Sequence, residues 1–290
     1  MANTTFGTTW MHRQLIATLR WMDVRWIYAF TALFVMPVCL LLNTNHSRTT
    51  AYRYFRLRQG YGRLKAAWAT YVNHCLFAQV VVDRFAMYAG KRFKLDIVGY
   101  DNFKRLSRQE AGFMMFSSHV GCYEVAGYSL VSETKPFNAL VYGGEKASVM
   151  EGRKKKLDGN NITMIPVMPD MSHLFKVNEA LANNEIVSMP ADRVVGSKKT
   201  LTVQFLGAPA RLPMGPFSVA TMRSLDVIAV NVMKTSAKGY TAYVAPLVYD
   251  KQAPRKEQMN QLAQSYAHEL ETRIRQYPTQ WYNYYDFWKE

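Results

Sequence analysis

Apolar residues cluster in short blocks along this chain, and their spacing predicts its elements. Runs at 93–98, 112–117, 137–142, 162–167, 185–189, 201–205, 227–233 and 240–247 have strand length, and glycine, proline or polar residues bound several of them. Residues 64–89 carry apolar positions at helical spacing, with Gly90 as a cap, and predict a long helix. In 256–275, Met259, Leu262, Ala263, Tyr266, Ala267, Leu270 and Ile274 share one helical face. Helices are also expected over 123–131, 145–157, 172–182 and 215–224. Strands alternate with helices across short connections, so the predicted fold is α/β, with a mixed, mostly parallel central sheet wrapped by helices.

One block differs from the rest. Residues 26–42 read WIYAFTALFVMPVCLLL without a charge, and 17 residues is about the lower limit for crossing a bilayer. Pro37 predicts a kink, and a buried core helix is the soluble alternative. The long basic start, and the lack of a small-residue cleavage site after Leu42, argue against a secretory leader. Arg13, Arg20 and Arg25 precede the block, and Arg48, Arg53, Arg56, Arg58, Arg63 and Lys65 follow it. The positive-inside tendency then places the larger part of the chain in the cytoplasm. The basic N-terminal side favours a segment that dips in and returns at Pro37. A composition break near 43–47 divides an anchor region, 1–47, from a domain spanning 48–290.

Composition sharpens this picture. The 290 residues carry a net charge of +15, with 49% hydrophobic and 20% charged residues, which is globular and strongly basic. Such charge suits an anionic membrane, a nucleic acid or an acidic protein. The 18 tyrosines and 6 tryptophans suit a membrane interface. Cys39, Cys75 and Cys122 have neither metal spacing nor an even-numbered disulfide framework. The six histidines form no ligand pattern, so no metal is expected.

The candidate chemistry lies at FMMFSSHVGCYE, residues 113–124. An apolar strand ends at His119, Gly121 turns the chain, and Glu124 opens a helix. The C-terminal ends of strands are where open α/β sheets place their sites. A carboxylate that holds one imidazole nitrogen makes the other a base for an alcohol or amine. A structural His–Glu pair is the competing reading, and Cys122 beside His119 raises a thiol nucleophile as another.

The segment SHVGCYEVAG resembles the H-x4-[DE] signature of the lysophospholipid acyltransferase superfamily, in the branch of the bacterial lipid A late (lauroyl/myristoyl) acyltransferases. Further segments follow in the order of that family. Arg153-Lys154-Lys155-Lys156 matches the basic acceptor-binding station, where a solvated helix end is the alternative. Asp192-Arg193 resembles the family's Asp-[Gln/Arg] station, with a local salt bridge as the alternative. Gly207 and Gly215 fall in a Phe-x-Gly-x-x-Ala…Pro-x-Gly segment, where plain turns are the alternative. Pro278-Thr279-Gln280-Trp281 resembles the C-terminal Pro-x-Gln-[WY] element.

The resemblance implies a membrane-associated acyltransferase of the bacterial inner membrane, facing the cytoplasm. His119 and Glu124 would be its catalytic dyad, and Arg153, Asp192, Arg193, Gly207 and Gly215 would bind substrate. It implies an acyl carrier protein or coenzyme A thioester as co-substrate, no other cofactor, a lipid acceptor such as a lipid A precursor, and no nucleic acid. The competing class is a basic membrane- or nucleic-acid-binding protein without catalysis.

Overall fold

The computed structural model describes residues 9–42, 46–122, 124–125, 130, 132, 134–144, 150–153, 161–168, 170, 172–194, 199–285 and 287–288. Seven strands form one sheet: β1 (Lys94–Val98), β2 (Phe113–Ser117), β3 (Phe137–Tyr142), β4 (Ile162–Val167), β5 (Ile186–Pro190), β8 (Asp226–Ser236) and β9 (Gly239–Leu247). Their order is β1-β9-β8-β2-β5-β3-β4. Only the β8–β9 pair is antiparallel, so the sheet is mixed and mostly parallel, as the pattern predicts. β6 (Thr200–Phe205) and β7 (Ala208–Pro213) form a separate hairpin.

β2 sits between β5 and β8 and is buried on both faces. Its side chains alternate between two cores, as the period of a strand requires. Met114 and Phe116 join one core, where Phe217 and Tyr266 pack edge-on against Phe116. Phe113 and Met115 join the other, with Phe103, Leu106 and Ile228. The first core is covered by α8 (Met214–Met222) and α9 (Arg255–Gln276), together with α7 (His173–Ala182). The second lies under α5 (Arg63–Tyr88) and α6 (Tyr100–Arg108). The helical face expected of α9 is the buried one: Leu262, Ala263, Tyr266, Ala267, Leu270 and Ile274 are all enclosed.

Among the described residues, α1 (Thr9–Trp21), α4 (Ser47–Leu57), α6, β7 and a 3-10 turn at Pro278–Gln280 exceed the expectation. The helices expected over 123–131 and 145–157 lie mostly outside the described residues; within them, 124–125 and 150–153 are helical.

The apolar block is a single helical stretch, Val24–Leu42, of 19 residues. It comprises α2 (Val24–Phe30), a π-helical turn at Thr31–Val35 and α3 (Met36–Leu42). The expected return at Pro37 does not occur. Met36 N–H reaches back five residues to the Thr31 carbonyl, and this widened turn stands just before Pro37. A proline has no N–H to give, and its ring crowds the carbonyl four residues back. Widening the preceding turn relieves that crowding without ending the helix.

Candidate active site

β2 and β5 run side by side in parallel, with Ser117 opposite Pro190. The residues that follow them, His119 and Asp192, therefore emerge together at the carboxyl edge of the sheet. His119 Nδ1 donates to Asp192 Oδ1 at 2.7 Å, and the His119 backbone N–H donates to Oδ2 at 2.8 Å. Both carboxylate oxygens are thus committed to one residue. Because a carboxylate only accepts, the ring proton sits on Nδ1 and Nε2 becomes the basic nitrogen. The Asp192 side chain is fully enclosed, while that of His119 keeps 24% exposure. Burial pushes the Asp192 carboxyl up. The His119 charge and the hydrogen bonds from its ring and backbone outweigh that push and hold the carboxyl below its ordinary value.

The loop 118–122 is laced down on both sides. Gly121 N–H donates to Gln280 O at 2.8 Å, Cys122 N–H to Val232 O at 2.7 Å, and Tyr282 N–H to His119 O at 3.0 Å. Ser118 Oγ donates to Asn231 Oδ1 at 2.6 Å, and Tyr266 Oη to Ser117 O at 2.9 Å. Gly121 has φ +58°, and a Cβ there would lie 1.9 Å from Val232 O. Only glycine admits both that angle and that approach, so Gly121 is the reason the histidine can stand against β8.

Glu124 has a different setting from the one expected. The sequence reading gives it the task of holding the imidazole; in the structure Asp192 holds Nδ1. The Glu124 carboxylate is instead gripped by arginines. Arg153 Nη2 lies 2.6 Å and Arg84 Nε 3.0 Å from Oε1, and Tyr88 Oη donates to Oε2 at 3.4 Å. Burial raises the Glu124 carboxyl, but the charges of Arg84 and Arg153, and hydrogen bonds from Arg153 and Tyr88, bring it below its ordinary value. The physical reason is distance along the sheet. A partner on the next parallel strand reaches the ring directly, whereas the turn of the helix after Gly121 carries Glu124 toward α5.

Arg153 is buried among these groups, not at a solvated helix end, and it is the described member of its basic cluster; Lys154, Lys155 and Lys156 lie outside the described residues. Arg193 is committed to the C-terminal segment: Nε donates to Asn283 Oδ1 at 2.7 Å and Nη2 to Tyr282 O at 2.9 Å. No ion pair joins it to Asp192 among the described residues, and it braces the segment that clamps His119. Gly207, φ +77°, follows Leu206, φ +49°, in the two-residue turn joining β6 to β7. This is the type I′ geometry of tight hairpins. Gly215 lies in the first turn of α8 with open space around it. Both glycines have the surroundings of backbone turns.

Sequence reasoning missed Arg84 and Tyr88, two side chains in a 26-residue helix with nothing local to mark them. It also raised Cys122 as a nucleophile. That thiol is buried, and enclosure, with the Glu124 charge adding to it, pushes it up to about 12. A thiolate is the reactive form, so the site disfavours an acyl-cysteine. Cys122→Ala is expected to retain acyl transfer within about threefold of the parent, since it removes only a small buried group. A loss equal to that of a His119 variant in the same assay would restore the thiol mechanism.

A family model described as bacterial lipid A biosynthesis acyltransferase matches residues 80–290, a span holding every side chain of this site. Comparison with curated proteins returns no match. Among solved structures, the 1-acyl-sn-glycerophosphate (LPA) acyltransferase from Thermotoga maritima is similar with a TM-score of 0.40 and 13% sequence identity, over 94% of this chain and 99% of that chain.

Proposed function

Since the chain belongs to the bacterial lipid A biosynthesis acyltransferase family and is therefore an acyltransferase, we propose that it moves a fatty acyl chain from an acyl carrier protein or coenzyme A thioester to a hydroxyl or amine of a lipid acceptor. A lipid A precursor is the acceptor most in keeping with the family, and the cytoplasmic face of the inner membrane is the proposed location. The thioester is consumed as co-substrate, and the chemistry calls on no further cofactor.

The observation that carries the mechanism is the His119–Asp192 pair at the ends of adjacent parallel strands. The acceptor O–H or N–H attacks the thioester carbonyl carbon as His119 Nε2 takes its proton. Asp192 stabilises the imidazolium so formed. The tetrahedral intermediate collapses, the carbon–sulfur bond breaks, and the departing thiolate takes the proton back from His119. The products are the acylated lipid and a free thiol, and no covalent acyl-enzyme is needed.

The oxyanion of the intermediate needs donors. The backbone N–H groups of His119, Gly121 and Cys122 already serve Asp192, Gln280 and Val232. We assign the stabilisation to a basic side chain. Arg153 and Arg84, gathered by Glu124, are the proposed cationic wall of the site, which keeps Glu124 in the machinery as the group that places them.

His119→Ala tests the reading. A positioned general base contributes about 10²–10⁴ in rate, so turnover is expected to fall by that factor; the enclosed Asp192 carboxylate loses its ring partner, so the melt is expected to fall as well, and turnover is compared at a temperature where circular dichroism shows the variant folded. A purified variant within tenfold of the parent would overturn the assignment. Mass spectrometry of the lipids acylated by the parent protein, and not by this variant, identifies the acceptor.

A further inference from the structure

The mechanism above gives no task to Pro278-Thr279-Gln280-Trp281, yet the backbone of this segment is closely held. The Pro278 carbonyl accepts from Tyr54 Oη at 3.0 Å, and those of Thr279 and Trp281 accept from Asn73 Nδ2 at 2.9 and 3.0 Å. The Tyr282 carbonyl accepts from Arg193 Nη2 at 2.9 Å. The Gln280 carbonyl accepts from Gly121 N–H at 2.8 Å, and Tyr282 N–H donates to the His119 carbonyl at 3.0 Å. Val120 and Trp281 thereby form an antiparallel bridge. Successive carbonyls of this strap are thus fixed by α4, by α5, by the residue after Asp192 and by the loop that carries His119.

The Gln280 side chain adds a second hold. β2 pairs with β8 from Asp226 to Ala229, and β8 runs on to Ser236. Val232 and Lys234, two positions apart, turn their backbone groups to the edge so left. The Val232 carbonyl accepts from Cys122 N–H. Lys234 N–H donates to Gln280 Oε1 at 2.8 Å, and Gln280 Nε2 donates to the Lys234 carbonyl at 2.7 Å. A side-chain amide has an acceptor end and a donor end, so it pairs with Lys234 as a neighbouring strand would. Lys234 is itself a fixed point, because its side chain is buried and its ammonium pairs with Asp83 of α5. Gln280 is only 5% exposed, and loss of either bond would leave a backbone group of β8 buried and unpaired.

We propose that Gln280 is a positioning residue for the base: its side chain grips β8, its carbonyl grips Gly121, and together they set the height of the loop that presents His119. Asp192 fixes the direction of the ring through Nδ1. The strap fixes the backbone from which the ring projects. A misplacement of about 1 Å costs a reaction about 10²-fold. Gln280 acts through the main chain of residues 119–121 and not through the thioester, so its loss falls on kcat. The inference rests on His119 as the general base, and its test includes a readout that involves no acyl transfer.

The test compares Gln280→Met and Gln280→Glu in the full chain, each read where circular dichroism shows it folded. Turnover is the thiol released from a lauroyl thioester of coenzyme A or acyl carrier protein, whichever the parent consumes. Methionine keeps the length of the side chain and removes both bonds to Lys234. Its kcat is expected to fall about 10- to 10²-fold, with KM for the thioester within about threefold of the parent. Glutamate adds a pH signature. A neutral carboxyl offers one donor and one acceptor, as the amide does, whereas a carboxylate only accepts and faces the Lys234 carbonyl. The ratio of Gln280→Glu to parent turnover is therefore expected to fall as pH rises and the carboxyl ionises. A ratio that does not fall, or a Gln280→Met variant that keeps parent turnover, overturns the proposal. Leu106→Ala, in the core under α6, is the control for general loosening: it is expected to lower the melt and keep kcat within about threefold. A loss equal to that of Gln280→Met would reduce Gln280 to a stability residue. Hydrogen exchange supplies the readout without chemistry, with faster exchange expected at Gly121 and Cys122 in Gln280→Met. Unchanged exchange there would remove the positioning role, while His119→Ala would still decide the base. Should Gln280→Met fail to fold, the pH ratio of Gln280→Glu decides alone.

Discussion

Asp192→Asn is expected to lower turnover by about 10²–10⁴ while leaving the Michaelis constant for the acyl donor nearly unchanged. The substituted amide keeps the size of the side chain but loses its charge. Its NH2 group, turned toward Nδ1, also favours the proton on Nε2, the tautomer that cannot act as base. The lost stabilisation grows only as the imidazolium forms, so it belongs to the transition state and falls on kcat. Steady-state kinetics on purified protein, alongside a thermal melt showing a folded variant, check this. Turnover within tenfold of the parent would mean that Asp192 is a scaffold for the loop at 118–122 and that the base is oriented by another group.

The pairing behind that prediction was not legible in the sequence, and the reason is topological. His119 itself was legible: an apolar run ending in a histidine and a glycine marks the carboxyl end of a strand, and β2 ends where the pattern places it. Its partner stands 73 residues away. They meet because β5 is hydrogen-bonded to β2, whereas β3 and β4, which lie between them in sequence, lie beyond β5 in the sheet. Periodicity gives strands, not their order. A carboxylate five residues away was the partner that local reasoning offered, and the turn at Gly121 delivers it to Arg84 and Arg153 instead.

The same contrast runs through the fold. β3 and β4 coincide with the apolar runs at 137–142 and 162–167, because each run is short, uninterrupted and bounded. β7 contains Pro209 and Pro213 beside Gly207, which reads as turn chemistry. It forms a strand because it pairs along one edge only, with β6, where proline's missing N–H is tolerated. α6 offers few apolar anchors, Phe103 and Leu106 being its buried large side chains, too few to set a period. The apolar block at 26–42 was evident, but its placement rests on Tyr28 and Ala32 meeting Asp83 and Tyr71, which are distant in sequence.

Glu124→Gln is expected to destabilise the protein by about 3–5 kcal/mol, because it removes a negative charge that two enclosed guanidinium groups share. The Glu124, Arg153 and Arg84 side chains keep only 4%, 6% and 19% exposure, so water does little to replace the lost partner. At roughly 2–4 °C per kcal/mol for a chain approaching this size, the melting temperature falls by about 6–20 °C. The effect carries a pH signature. The folded carboxyl titrates below its ordinary value of 4.5, so on acidification the unfolded chain takes up the proton first. The contribution of Glu124 is therefore complete above about pH 4.5 and is lost as pH falls through the lower folded value. Parent and variant melts are expected to differ most near neutral pH and to converge on acidification below that point. Activity should fall with stability held constant as well, since Arg84 and Arg153 lose the group that aims them. A variant that melts with the parent at neutral pH would show that the arginines find other anions, and the cationic wall proposed for the oxyanion would lose its foundation.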